Sequence, residues 1–339
     1  MSNSICSVII PAYNAEKSIQ SVLDSLALNG SWKYPIDVQV IDDGSTDHTC
    51  QIVERFSECF ENVRYCRKEN GGVSSARNLG LDTVATKYLV FMDADDEMIR
   101  SGLDAMIDTA EQTRADIVIS SYYRYNVADG TETKVVCPLK NDILLTKETI
   151  EQEILRRFFN EKNKCLPNLW NKLYVTDVIR KNGLRFHDKM SHGEDWLFNI
   201  QYLRCINNAY IIDVPPLRYR VTGWIDYSKY RRYLANSLII EFQTAEELNR
   251  IFGFCGERDE DYLLFMRRAA EKAVMYLRLK ECSRKEKIMF LNSREEQTVF
   301  GYMSRLSREA LSFLDMSRKE RLAFWLIRHK LFEAGLELL

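Results

Sequence analysis

Three carboxylates fall within four residues at Asp93-Ala94-Asp95-Asp96. Acids so close repel one another unless a cation or hydrogen-bond donors neutralise them. Hard oxygen ligands at this spacing suit Mg2+ or Mn2+, held by one or two carboxylates together with substrate phosphates. Asp96 taken alone serves equally well as a helix cap. A second acidic run, Asp42-Asp43-Gly44-Ser45-Thr46-Asp47, has an obvious turn residue in Gly44 and a helix cap in Asp47. That leaves Asp42 and Asp43 to accept bonds from a base N–H or a ribose hydroxyl. Asn70-Gly71-Gly72 precedes a helix, where free backbone N–H groups favour an anion, and Arg77 adds a fixed positive charge about one turn on. In Ser191-His192-Gly193-Glu194-Asp195-Trp196, Ser191 and Glu194 fit a capping box, so Glu194 has a structural task. Asp195 is left to complement the helix dipole or to abstract a proton.

The elements that must position these groups are legible from periodicity. Cys6–Ile10, Val38–Ile41, Val63–Cys66 and Tyr88–Phe91 are strand-like, and helical segments at 15–28, 47–60 and 73–82 lie between them. A helix at about 100–112 and a strand at 117–119 continue the alternation. Strands alternating with helices give an α/β fold, a doubly wound and mostly parallel sheet covered on both faces. Its ligand site lies at the carboxyl ends of the strands. Pro11-Ala12-Tyr13-Asn14, the Asp42 run and the Asp93 run all follow strands, so they converge on one cleft. From 121 to 226 the pattern is irregular: a turn at Asp129-Gly130, a strand over Lys134–Cys137, a helix near 147–160 and a short helix starting near Ser191. After Tyr227 proline disappears and the texture is helical. The expected division is 1–226 and 227–339.

Composition sets the class. The chain has 339 residues, 47 Lys+Arg against 49 Asp+Glu, and 46% hydrophobic residues, ordinary for a globular protein. The net charge of −2 divides into −6 before Tyr227 and +4 after it, and the near-neutral total argues against nucleic acid as a partner. Nine scattered cysteines without a C-x-x-C pair suit reduced thiols in the cytoplasm. No signal-peptide layout and no run of ~18 apolar residues is present, so a cytoplasmic chain is expected. Neither G-x-G-x-x-G nor a P-loop occurs, which removes the main support for dinucleotide oxidoreductases and P-loop enzymes.

Five strings in order, Val8–Asn14, Asp42–Asp47, Asn70–Asn78, Phe91–Asp96 and Gly193–Asp195, resemble those of family 2 glycosyltransferases of the GT-A fold. The resemblance spans about residues 5–222. It implies inverting transfer of a sugar from a nucleotide-diphosphate donor, most often a UDP-sugar, to an acceptor hydroxyl of a glycan or lipid-linked glycan. Carried over by position, Pro11, Ala12, Tyr13 and Asn14 line the nucleotide pocket with Asp42, Asn70, Gly71 and Ala94, and Asp43 bonds the base. Arg77 approaches the diphosphate, Asp93 faces ribose or metal, and Asp95 is the main ligand of Mg2+ or Mn2+. Asp195 matches the general base. The histidine many relatives carry after the base region is absent, and Arg220 stands there as a phosphate partner, with Glu194 as a further candidate for a phosphate or acceptor contact. Trp170 falls in the acceptor-side segment, where a buried packing role is equally open, and 121–226 forms the acceptor side.

Two other readings compete. A sugar-nucleotide nucleotidyltransferase would need a basic Gly-rich N-terminal loop, which is absent. A non-catalytic subunit of a polysaccharide assembly complex would not need the Asp93, Asp95 and Asp195 set. The basic and aromatic run Arg318–Lys330 fits a helix packed on its neighbours or on a second copy, and also a peripheral contact with an anionic membrane.

Overall fold

The computed structural model describes residues 4–27, 33–155, 165–190 and 192–221, and beyond them 237, 240, 241, 243, 244, 247, 250, 283–291 and 319. The chain divides into two compact units, one built from 1–158, 162–188 and 194–226, the other from 159–161, 189–193 and 227–339. In the second unit the described positions from 237 to 250 are helical, and a helix covers Arg284–Leu291. The basic and aromatic run at 318–330 lies, but for Lys319, outside the described residues. No helix among the described residues is long and apolar enough to cross a membrane.

The first unit is built on strands β1 (Cys6–Ala12), β2 (Ile36–Asp42), β3 (Val63–Arg67) and β4 (Tyr88–Phe91), with β6 (Ile117–Ser120), β9 (Leu144–Thr146), β10 (Lys172–Val175) and β11 (Asn208–Ile212). They form one sheet in the order β3-β2-β1-β4-β10-β6-β11-β9. Pairing is parallel from β3 through β4, and β10 runs antiparallel between β4 and β6. Every residue of β1, β2 and β4 is buried, as expected where helices cover both faces of a parallel sheet. A second sheet has the order β5-β12-β7-β8, with β5 at Glu97–Met98, β7 at Tyr122–Asn126, β8 at Glu132–Val135 and β12 at Leu217–Val221.

Helix α1 (Ile19–Ala27) buries Ile19, Val22, Leu23 and Leu26, one stripe at helical spacing. Next come α2 (Thr49–Cys59), α3 (Val73–Thr83) and α4 (Arg100–Thr113). Helix α4 buries Gly102, Leu103, Met106, Ile107 and Ala110. At Gly102 a side chain has no room, since a Cβ there would lie 2.1 Å from the Pro215 carbonyl oxygen.

From β1 the chain winds outward through β2 to β3, then returns to β4 on the other side of β1. The loops after β1 and β4 therefore lie side by side at the strands' carboxyl ends, joined where Ser18 Oγ donates to the Ala94 carbonyl at 2.7 Å.

Some expectations shift. The first helix starts at Ile19, because residues 15–18 form a turn closed by the Ser18 and Ile19 N–H groups on the Ala15 carbonyl, 3.0 and 2.9 Å. The strand expected at 134–137 runs over Glu132–Val135, in register with β7. The helix expected near 147–160 is a three-residue turn, α5 (Lys147–Thr149), continued by a π-helix to Leu155, and 156–160 lies outside the described residues. Helix α6 covers Thr176–Lys181. Helix α7 begins at Glu194 and ends at Cys205, and Ser191 lies outside the described residues.

Candidate active site

Side-chain bonds stitch the loop after β1 to the loop after β2. Asn14, in the left-handed region at φ 49° that asparagine tolerates, accepts the Thr46 N–H at 2.8 Å through its Oδ1, and its own N–H reaches Ser45 Oγ at 3.0 Å. Asp47 lies one residue ahead of the helix cap, His48, yet its Oδ1 accepts the Thr49 N–H at 3.0 Å while Oδ2 takes the Glu16 N–H at 3.0 Å. Pro11 and Ala12 are buried at the end of β1, and Tyr13 projects with 53% of its surface exposed.

The paired acids of β2 serve the loops. Asp42 is fully buried, with Oδ1 on the Ser45 N–H at 2.8 Å and Oδ2 on the Tyr65 hydroxyl at 2.7 Å. It holds the turn and presents no surface to a ligand. Asp43 Oδ1 accepts from Gly71 N at 3.0 Å and Lys68 Nζ at 2.7 Å, and its Oδ2 accepts from Gly72 N at 2.7 Å. The glycine amides expected to receive an outside anion are thus taken by the chain's own carboxylate. Gly72 caps α3 at φ 91°, a conformation that glycine adopts without strain. Asn70 Nδ2 completes the tie by donating to the Asp43 carbonyl at 3.0 Å.

Arg77 is the larger surprise. It occupies the inward stripe of α3 with Ser74, Gly80 and Leu81, and its side chain is 4% exposed. Its Nη1 donates to Asp195 Oδ1 at 2.6 Å and Glu194 Oε1 at 3.1 Å, and its Nη2 to Asp93 Oδ1 at 3.1 Å. The guanidinium therefore gathers acids from the loop after β4 and from α7, 16 to 118 residues away in sequence, instead of standing open to a diphosphate. Glu194, read as half of a capping box, spends its carboxylate on this cation. Phe186 lies under the guanidinium, 5.4 Å from its ring centre, and stacks on Phe198 at 4.2 Å, with Phe91 edge-on at 5.2 Å. Asn78, next to Arg77, pins that segment by bonding the Phe186 backbone on both sides at 2.9 Å.

This setting controls Asp195. With 28% of its side chain exposed, Asp195 is still desolvated enough that its carboxyl is pushed well above the usual range; Arg77 pulls it back, and Glu194 and Asp93 push it up again. Such a carboxylate is basic enough to take a proton from a hydroxyl. Burial opposes the charge on Arg77 as well, but the three carboxylates outweigh it and hold the guanidinium protonated.

The loop after β4 is anchored through Ala94, whose carbonyl accepts from Ser18 Oγ at 2.7 Å, and through Asp96, whose Oδ1 accepts the Arg220 N–H of β12 at 3.0 Å. Asp96 is fully buried and holds the loop; it is not open to a ligand. Asp95 is exposed and Asp93 keeps 35% of its side chain exposed. Among the described residues no group of three or more His, Cys, Asp or Glu could hold a metal ion. Two neighbouring carboxylates at a cleft fit an ion of the Mg2+ or Mn2+ kind that draws its other ligands from phosphate and water. The Arg220 guanidinium lies against Ser21 Oγ at 3.2 Å, on α1 beside that loop.

The sequence model described as glycosyl transferase family 2 matches residues 7–178. The chain belongs to glycosyl transferase family 2. It is 31% identical over 195 residues to glycosyltransferase GlyA of Streptococcus pneumoniae serotype 4, covering 57% of this chain and 27% of GlyA. It is 24% identical over 263 residues to uncharacterized glycosyltransferase EpsJ of Bacillus subtilis, covering 77% of this chain and 74% of EpsJ. The chain thus spans between 27% and 74% of the length of these two relatives. The crystal structure of S. aureus TarS 1-349 in complex with UDP-GlcNAc is similar at a TM-score of 0.62 and 18% identity, over 98% of this chain and 90% of that one. The doubly wound GT-A fold is the fold of this family 2 chain.

Residues beyond the family's strings complete the site. Trp170 is buried at 5% exposure, stacked on Tyr219 at 5.2 Å and edge-on to Tyr122 at 4.4 Å, so it packs. Lys172 and Asn199 escaped the sequence reading, although Asn199 lies four residues beyond Asp195 and so on the same face of α7. The inward position of Arg77 was detectable too, since it shares the helical spacing of Ser74, Gly80 and Leu81.

Proposed function

We propose that the chain transfers a sugar from a nucleoside-diphosphate donor, with UDP favoured, to a hydroxyl of a glycan or lipid-linked acceptor, inverting the anomeric configuration. The observation that carries the reading is the joining of Asp93, in the loop after β4, and the α7 acids Glu194 and Asp195 by one buried guanidinium. It gathers a donor-side and an acceptor-side carboxylate at the carboxyl edge of the sheet. Exposed Tyr13 offers its ring to the base, and Asp43 shapes the loop beneath it. The likeness to TarS, described with UDP and with UDP-GlcNAc, supports the donor class.

In the reaction, the acceptor oxygen forms a bond to the anomeric carbon as the bond from that carbon to the diphosphate oxygen breaks. The bonding pair leaves with the diphosphate, and the hydroxyl proton passes to Asp195. Attack comes from the face opposite the leaving group, as in inverting glycoside chemistry. Asp95 with Asp93 would hold Mg2+ or Mn2+, which when bound neutralises charge on the leaving diphosphate as a Lewis acid. Arg220 supplies a second positive group on that side.

The test uses Asp95→Ala and Asp195→Asn in the full chain. Both are expected to stay folded and to lose UDP release from a panel of UDP-sugars, and Asp95→Ala also to weaken calorimetric UDP binding in Mn2+. Full turnover by either folded variant sinks the role given to that residue, and no UDP binding by the wild type sinks the donor class.

A further inference from the structure

Lys172, the first residue of β10, is fully buried. Its Nζ donates to the Cys165 carbonyl at 3.0 Å, to Asn171 Oδ1 at 2.9 Å and to the Asn168 carbonyl. An ammonium has three N–H donors and no acceptor, so three oxygens match it fully. All three belong to the seven-residue stretch Cys165–Asn171, which wraps round the end of the lysine side chain. The same stretch is gripped from α7, where Asn199 Nδ2 donates to the Pro167 carbonyl at 2.7 Å and the Asn168 carbonyl at 3.1 Å. Tyr174 fixes Asn199 by donating to its Oδ1 at 2.7 Å. Asn171 ties the stretch back to β6 through the Ser120 carbonyl at 2.8 Å.

We infer that Lys172 is a positioning residue for the transfer reaction. Its buried amine latches the Cys165–Asn171 loop, with Trp170, against the helix that carries Asp195. This rests on Asp195 as the proton acceptor proposed above. Without the latch, Asn171 Oδ1 loses this donor, and the Cys165 and Asn168 carbonyls are left with one side-chain donor each, Asn171 Nδ2 at 3.0 Å and Asn199 Nδ2 at 3.1 Å. The ionisable groups facing the amine are the Cys165 and Cys137 thiols and the Asp195 carboxylate.

Burial lowers the proton affinity of this amine to about 7, only partly offset by those three groups.

Amide hydrogen exchange on the full chain tests the latch without any ligand. In Lys172→Met, exchange of amides 165–171 and of the first turn of α7 is expected to rise about tenfold or more, with 6–12 and 88–91 unchanged. UDP affinity by calorimetry stays within about twofold of wild type, and UDP release from UDP-sugars falls about tenfold or more. A 165–171 loop as protected in the variant as in the wild type overturns the proposal. Lys172→Gln, which keeps two donors, is the second variant if methionine is not tolerated. A wild-type chain that releases no UDP counts against the sugar-transfer reading, and the exchange arms still decide the latch.

Discussion

Replacing Arg77 by methionine should do two measurable things of opposite kind. The guanidinium is 4% exposed and holds Asp195 at 2.6 Å, Glu194 at 3.1 Å and Asp93 at 3.1 Å. Removing one partner of a buried ionic set costs about 3–5 kcal/mol, because the charges left behind are uncompensated. Asp93, 35% exposed, adds least to this, since water screens it; Glu194, 12% exposed, adds more. Against a total stability of about 5–15 kcal/mol the variant keeps a folded population in favourable buffer. Adding Glu194→Gln then removes one of the stranded charges and should return about 1–2 kcal/mol, whereas the same change in the wild-type background destabilises. The second effect falls on Asp195. Burial, Glu194 and Asp93 all raise its proton affinity and Arg77 opposes them, so loss of the cation moves it further up. In the role of base proposed for Asp195 the carboxylate works deprotonated, so the acid limb of the rate profile shifts to higher pH. The assays are urea unfolding of the four proteins of the cycle and UDP release as a function of pH, corrected for folded fraction. If Glu194→Gln further destabilised Arg77→Met, or if the acid limb stayed in place, the view of Arg77 as hub of the acids would be refuted.

Two further substitutions separate fold from binding. Gly102→Ala drives a Cβ to within 2.1 Å of the Pro215 carbonyl oxygen, so urea unfolding should show a loss of about 1–3 kcal/mol or more while UDP affinity of the folded protein is kept; wild-type stability would contradict the close approach of α4 to the Pro215 backbone. Tyr13→Ala removes a ring that is 53% exposed, so stability should change by less than about 0.5 kcal/mol. Base stacking on an aromatic face is worth about 1–3 kcal/mol, and calorimetric UDP affinity should fall about tenfold or more; unchanged affinity would remove Tyr13 from the nucleotide site.

The parts of the molecule that sequence reveals are those governed by neighbours along the chain. Strands β1 to β4 announce themselves through apolar, β-branched runs, and the loops after them through turn residues such as Gly44 and Gly72. The second sheet does so only at β8, because β5 has two residues and β7 and β12 show no clean alternation between buried and exposed positions. Asp47 behaves nearly as its spacing suggests, within two residues of its partner Thr49. Glu194 does not, since its partner Arg77 is 117 residues away and a local capping pattern carries no record of it. Asp43 and the Gly71 and Gly72 amides were each read as facing a ligand, and each found the other.

Two buried cations of the first unit, Arg77 and Lys172, show how side-chain chemistry divides this work. Arg77 meets three charged carboxylates, which raise its hold on its proton despite burial, so its charge persists wherever the fold persists. A planar fork suits that place, because Nη1 and Nη2 reach acids from two different elements at once. Lys172 meets three neutral oxygens, and burial dominates, so its proton affinity falls. A compact ammonium suits a ring of backbone and amide oxygens from one loop, where geometry matters more than a permanent charge. Exchanging the two residues would misplace both properties. A lysine at 77 cannot span Asp93, Glu194 and Asp195 with the same bidentate reach, and an arginine at 172 would force a charge that cannot be shed into a fully buried cage sized for an amine.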